Sequence, residues 1–226
     1  MNDTLLRLAF GLHSGRGLHA LLLGSGVSRA ASLPTGWEVV LDLINQLAAA
    51  RAEETGSDPA QWYETTFGTP PDYSDVLDRL TTTSAERAQL LRRYFEPDTE
   101  ERERGEKLPT AAHEAIARLV RDGFIHVAVT TNFDRLLEQA LVEVGVQPTV
   151  VSSPDDIAGV PPLSHARGLI IKVHGDYLDG RLRNTRDDLA AYEPELQALM
   201  SRDITEYGQI LAGWAATYDT ALRQHI

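Results

Sequence analysis

The stretch Leu18-His19-Ala20-Leu21-Leu22-Leu23-Gly24-Ser25-Gly26-Val27-Ser28 constrains this chain most. The apolar run from Ala20 to Leu23 is too short for a helix and stops at Gly24, as a buried parallel strand does before a turn. The spacing predicts a strand, a tight glycine turn and then a helix. Gly24 and Gly26 have no Cβ to hold a ligand away, and Ser28 offers a hydroxyl beside the N–H groups of a helix start, where phosphate is favoured. An ordinary strand–turn–helix connection would carry the same residues. The dinucleotide fingerprint of dehydrogenases is not completed: Arg29 stands where its third glycine belongs, and the acids that follow, Glu38 and Asp42, fall in a helical pattern.

The rest of the chain alternates in the same way. A short helix is expected over 5–16, with Leu5, Leu8, Ala9 and Leu12 on its apolar face. A second opens at Thr35 and Glu38, which have capping-box spacing, and continues through Val39, Val40, Leu43, Ile44 and Leu47. Trp37 reads as a core anchor ahead of a ligand-contacting residue. Residues 51–109 differ, with prolines, short amphipathic pieces at 73–80 and 84–95 (Ser84 as N-cap) and a charged run from Glu96 to Lys107 read as a solvated loop. We take them as a small helical insertion between the first and second strands.

Thr110 caps the next helix, with Ala112, Ile116, Leu119 and Val120 on one face. Strands follow at 124–130, 148–151, 169–173 and 208–213, with helices from Leu136 to Gly145, near 186–201, and at Tyr218 to Leu222. The expected fold is α/β and Rossmann-like: one domain over 1–226 with a mostly parallel sheet, helices on both faces and the insertion at 51–109.

Charge and composition exclude several classes. With 33 acidic against 21 basic residues the formal net charge is −12, so direct binding of nucleic acid is not expected. No apolar run is long enough to cross a bilayer, and the start, Met1-Asn2-Asp3-Thr4, has no signal-peptide character, so a cytoplasmic, membrane-free protein is expected. The absence of cysteine rules out disulfides, thiol catalysis and cysteine-ligated zinc. His19 and His126 lie inside strands and read as structural. His13, His113, His165 and His225 show no pattern, and no histidine pair has metal-ligand spacing, so no metal site is expected.

Ligands of such sheets bind outside the carboxyl ends of the strands. Four polar clusters fall there: Gly24-Ser25-Gly26 with Ser28, Thr130-Thr131-Asn132-Phe133-Asp134, His174-Gly175-Asp176, and Gly213-Trp214. Local readings remain open at this point. Asp134 could simply cap the following helix, and His174 could be a turn histidine bonded to a carbonyl.

The first three clusters, taken in order, resemble the signatures of the Sir2 (sirtuin) superfamily, and the resemblance is closer to the SIR2-like domains of bacterial antiphage defence proteins. Leu33-Pro34-Thr35-Gly36-Trp37, Arg183-Asn184-Thr185 and Tyr207-Gly208 through Gly213-Trp214 extend it over roughly residues 18 to 224. The resemblance implies NAD⁺ as substrate and cleavage of the nicotinamide–ribose bond. It implies that Gly24, Ser25, Gly26 and Ser28 hold phosphates and that Thr131 belongs to the binding set. Asn132 would contact the ribose and the attacking water, Asp134 the nicotinamide amide, and Gly213 and Trp214 the adenosine. His174 would be the general base. The residue types suit that chemistry: nicotinamide leaves as a neutral molecule, the transition state resembles an oxocarbenium ion, an imidazole can accept the proton, and an asparagine amide both donates and accepts.

Deacylating sirtuins carry a four-cysteine zinc ribbon, a Pro-Asp-Phe-Arg stretch and a late Gly-Thr-Ser element. Here there is no cysteine, and Leu33-Pro34-Thr35-Gly36-Trp37 and Gly213-Trp214-Ala215 stand in the other two places. Water is then the expected acceptor, giving ADP-ribose and NAD⁺ depletion in defence. A divergent NAD-dependent deacylase and a non-catalytic NAD- or ADP-ribose-binding module are the alternatives. Relatives of this kind carry further domains, so the chain is expected to be the N-terminal part of a larger protein or one subunit of a complex, with a homo-oligomer or defence-complex partner.

Overall fold

The computed structural model describes residues 3–178, 192–216 and 220–225. In chain order the elements are α1 (Asp3–Ser14), β1 (His19–Leu23), α2 (Gly36–Ala50), α3 (Pro59–Phe67), α4 (Tyr73–Leu80), α5 (Ser84–Phe95), α6 (Thr99–Glu103) and α7 (Ala111–Arg121). There follow β2 (Ile125–Thr130), α8 (Leu136–Glu143), β3 (Thr149–Val151), α9 (Pro154–Ile157), β4 (Leu169–Lys172), α10 (Pro194–Glu206), β5 (Gly208–Ala212) and α11 (Thr220–His225). The expected Arg183-Asn184-Thr185 stretch, Tyr218 and the start of the helix placed near 186–201 lie outside the described residues.

The five strands form one all-parallel sheet in the order β3-β4-β2-β1-β5. One face packs Ala20, Leu22, Val127, Val129, Leu169 and Ile171 against Leu196, Leu199 and Met200 of α10 and Leu222 of α11. The other packs Leu21, Leu23, Ile125, Ala128 and Ile170 against α7 and α8. Ile125 and Ala128 share that face because the β1–β2 register shifts between His19 and Leu21, an irregularity that displaces the alternation by one residue. The expected Rossmann-like α/β fold is thus observed, and a chain with no cysteine has no four-cysteine ribbon.

A third core lies beside the sheet. Val39, Val40, Leu43, Ile44 and Leu47 of α2 pack with Tyr63, Tyr73, Val76, Leu77, Leu91 and Phe95 from α3, α4 and α5. The Thr35/Glu38 capping box forms as expected: Glu38 N–H donates to Thr35 Oγ1 at 3.2 Å, and Thr35 N–H to Glu38 Oε2 at 2.6 Å.

Several local expectations are corrected. The glycine turn enters two consecutive 3-10 turns, at Ser25–Val27 and Arg29–Ala31, rather than an α-helix. Trp37 is 52% exposed, because it precedes Val39, the first residue of α2 buried in the third core. Thr83, not Ser84, caps α5. The charged run contains the short helix α6, held by Asp98 and Glu101 as a capping box. On α7 the buried residues are His113, Ile116, Ala117 and Val120, so Ala112 faces solvent and His113 faces inward. Helix α1 has no buried residue, and its Leu5 and Leu8 are exposed.

Candidate active site at the carboxyl edge of the sheet

The register sets the site. Leu23 pairs with Thr130 and with Ala212, and Thr130 pairs with Lys172, so β1, β2, β4 and β5 end in one row. Gly24, Thr131, Val173 and Gly213 therefore leave the sheet at the same level. The bonds Gly24 N–H to Ala212 O (3.0 Å), Thr131 N–H to Leu23 O (3.1 Å) and Val173 N–H to Thr130 O (3.0 Å) continue the ladder one step past that row. All four polar clusters from the sequence are brought to one edge.

The glycines are required first by the chain itself. A Cβ on Gly24 would lie 2.5 Å from Trp214 Cα, one on Gly26 2.7 Å from Gly213 Cα, and one on Gly213 2.6 Å from Val27 N. The two turns are backbone-to-backbone, with Gly26 N–H donating to Gly213 O at 2.9 Å. Val27 and Ser28 N–H groups donate to Gly24 O and Ser25 O, both at 3.1 Å. Of the residues expected to hold phosphate, Gly24, Gly26 and Ser28 thus have their amides engaged within the protein.

Ser28 is the hub. Its hydroxyl, 3% exposed with its residue, donates to Asp134 Oδ2 at 2.8 Å. Having one proton, it must accept from Asn132 Nδ2 at 3.0 Å. His113, 1% exposed, supplies the second donor. Its Nδ1 accepts Thr110 N–H at 3.1 Å, so the ring proton is on Nε2, which lies 3.3 Å from Ser28 Oγ. Burial holds the His113 imidazole below its ordinary value, against the opposing pull of Asp134, so it donates as a neutral ring.

These bonds fix the Asn132 amide. With Nδ2 turned to Ser28, Oδ1 faces away, buried and without a hydrogen-bond partner among the described residues. Asn132 as a residue is 9% exposed. A buried acceptor left open in this way has lost its water without replacing it, which is costly in a core and common where a ligand completes the bond. Asp134 does both things considered for it: Oδ1 accepts Leu136 N–H at 3.0 Å and caps α8, while Oδ2 holds Ser28.

His174 follows β4 in the same edge. Its Nε2 lies 3.3 Å from the Tyr192 hydroxyl, and its ring centroid is 6.3 Å from Phe133 and 6.4 Å from Tyr192. Beneath it is a buried ionic group that sequence reasoning did not single out. Lys172 Nζ donates to Phe133 O (3.1 Å), Asp134 O (2.7 Å), Glu138 Oε1 (3.1 Å) and Asp176 Oδ2 (2.9 Å). Arg135 Nε also donates to Asp176 Oδ2 at 2.8 Å. Lys172 therefore ties the backbone of the Asn132–Asp134 segment to the His174–Asp176 turn. Tyr177 ties that turn to the third core: its ring stacks on Phe95 at 5.0 Å, and its hydroxyl donates to Glu96 Oε1 at 2.8 Å.

His113 is the other residue missed. The signal was present: Thr110-Ala111-Ala112-His113 has capping-box spacing, with imidazole in the place of Glu or Gln. Among the described residues no group of three or more His, Asp or Glu side chains could hold a metal ion, and no helix is long and apolar enough to cross a membrane.

Comparison with curated proteins finds no match to this chain. Comparison with family models does. Residues 126–222, the segment that carries Asn132, Asp134, His174, Gly213 and Trp214, match the SIR2-like domain.

Proposed function

We propose that the chain is an NAD⁺ glycohydrolase that cleaves the nicotinamide–ribose bond with water as acceptor. The observation that carries this reading is the open, buried Oδ1 of Asn132, aimed by Ser28 and placed at the edge shared with His174. That oxygen can accept a hydrogen bond from a ribose hydroxyl or from the attacking water. In the proposed reaction the C1′–N bond breaks with both electrons going to nicotinamide, which leaves neutral. Water adds to C1′ of the oxocarbenium-like ribose and loses its proton to His174, giving ADP-ribose. Asp134 and Thr131 complete the nicotinamide side. The Gly24-Ser25-Gly26 turn, Ser28, Gly213 and Trp214 form the wall for the phosphates and adenosine. In the cell this activity would deplete NAD⁺ in the cytoplasm during antiphage defence, in a homo-oligomer or with a partner.

The test is to incubate the protein with NAD⁺, with and without an acetylated peptide, and to quantify nicotinamide, ADP-ribose and acetyl-ADP-ribose. Peptide-independent ADP-ribose is expected, falling on the order of 100-fold in Asn132→Ala and in His174→Ala. Acetyl-ADP-ribose formed only with peptide would replace this reading by deacylation. NAD⁺ bound without turnover would replace it by a binding module.

A further inference from the structure

We propose that the opposite, amino-terminal edge of the sheet carries a second site, which takes a phosphate-bearing anion. A hollow of about 400 Å³ opens there among the turns that enter β1, β2 and β4, and Arg16, Arg121, Asp122, His126 and Arg167 line it. In a chain of net charge −12, three guanidinium groups around one hollow with one carboxylate run against the composition.

Two of the three are already fixed in place. The Arg16 guanidinium lies over the Phe124 ring, 5.0 Å from its centroid, and donates to Asp122 O at the end of α7. Arg121 grips the Asp122 carboxylate at 2.8 and 3.2 Å. Neither cation then loses much freedom when an anion arrives. Arg167 is exposed and has no hydrogen bond or ion pair among the described residues, so it is the group able to close on a ligand.

His126 forms the inner wall. Gly17 lets it sit there: with φ +76, a Cβ at Gly17 would lie 2.8 Å from His126 Nε2. Its Nδ1 is buried and without a hydrogen-bond partner among the described residues. Burial, and after it the positive charges of Arg167 and Arg16, hold the imidazole below its ordinary value, as expected inside a positive hollow. Three arginines against one aspartate leave two positive charges, which a phosphate dianion would balance, and the guanidinium fork matches its oxygens. The six residues of β2 separate this hollow from the Asn132 edge by about 20 Å, so the two sites would fill independently.

The test uses the full chain at low ionic strength with two probes, inorganic phosphate and AMP. Binding is followed by titration calorimetry and by the His126 imidazole resonances. Saturable binding is expected, with the His126 titration moving to higher pH as the anion loads. Arg167→Ala should weaken binding about tenfold and Arg167→Glu more. Asn132→Ala should leave both binding and the His126 shift unchanged. AMP binding more tightly than phosphate would identify a nucleotide, and equal affinities phosphate alone. The proposal is overturned if neither probe saturates, if Arg167→Glu binds as the natural chain does, or if Asn132→Ala abolishes the binding. Because the readouts need no turnover, failure of the glycohydrolase reading leaves this test standing.

Discussion

Replacing Lys172 by Met tests whether the two halves of the candidate site are held by one buried cation. The Lys172 side chain is fully buried, and its three ammonium protons serve four acceptors within 3.1 Å. Methionine fills similar space but leaves the Asp134 carbonyl without this donor, the Glu138 carboxylate without its cation and the Phe133 carbonyl with Tyr177 N–H at 3.4 Å, while among the described residues Asp176 keeps Arg135 and Leu178 N–H. Removing one partner of a buried ion group costs about 3–5 kcal/mol, a large part of the roughly 5–15 kcal/mol that holds a domain together. For a chain of this size that lowers the melting temperature by about 6–20 °C, read by circular dichroism at pH 7.5. Burial already holds the Glu138 carboxyl above its ordinary value, against Lys172. Without Lys172 that value rises further. A carboxyl whose folded value is raised destabilises fully above that value, and the penalty fades as pH falls through it. The gap between variant and natural chain should therefore narrow from pH 8 to pH 5. A shift below about 2 °C, or a gap that widens on acidification, would refute the reasoning.

Two further outcomes follow from the same geometry. Gly26→Ala should destabilise by roughly 1–3 kcal/mol, since its Cβ meets Gly213 backbone at 2.7 Å, whereas Gly11→Ala, in open space within α1, should be neutral or stabilising in the same melt. The Asp203 carboxyl is pushed up to about 6 from 3.8 by burial, so its stabilising protonated form is present below pH 4 and lost as pH rises through 6. Asp203→Asn, which still accepts from Gln209, should remove that fall and so gain about 3 kcal/mol on the natural chain between pH 4 and pH 7.5 in urea titrations. Equal pH profiles would count against it.

How much could be read in advance divides along physical lines. Apolar runs stopped by glycine or polar turns marked β1, β2 and β4, helical spacing with a cap placed α2, and amphipathic spacing placed α4 and α5 nearly to the residue, with the α5 cap one residue off. These signals are local, carried within a dozen neighbouring residues. The polar clusters at strand ends were legible for the same reason, since parallel strands all place their carboxyl ends on one edge of the sheet.

The sequence by itself determined the strands and the longer helices, the parallel α/β class and which polar segments leave the carboxyl ends of strands. Tertiary structure alone decided the strand order, the level register that brings four loops to one row, and the inward turn of His113 and Lys172. It also gave the glycines their first task, packing one turn on another nearly 190 residues away in the chain, which from sequence looked like room for a ligand. Those facts depend on contacts such as Ser28 with His113, 85 residues apart, and Ser28 with Asp134, 106 apart. No local pattern encodes such a pair. A buried histidine or lysine looks like a surface residue until its partners arrive, because burial is stabilising only once every donor and acceptor is matched.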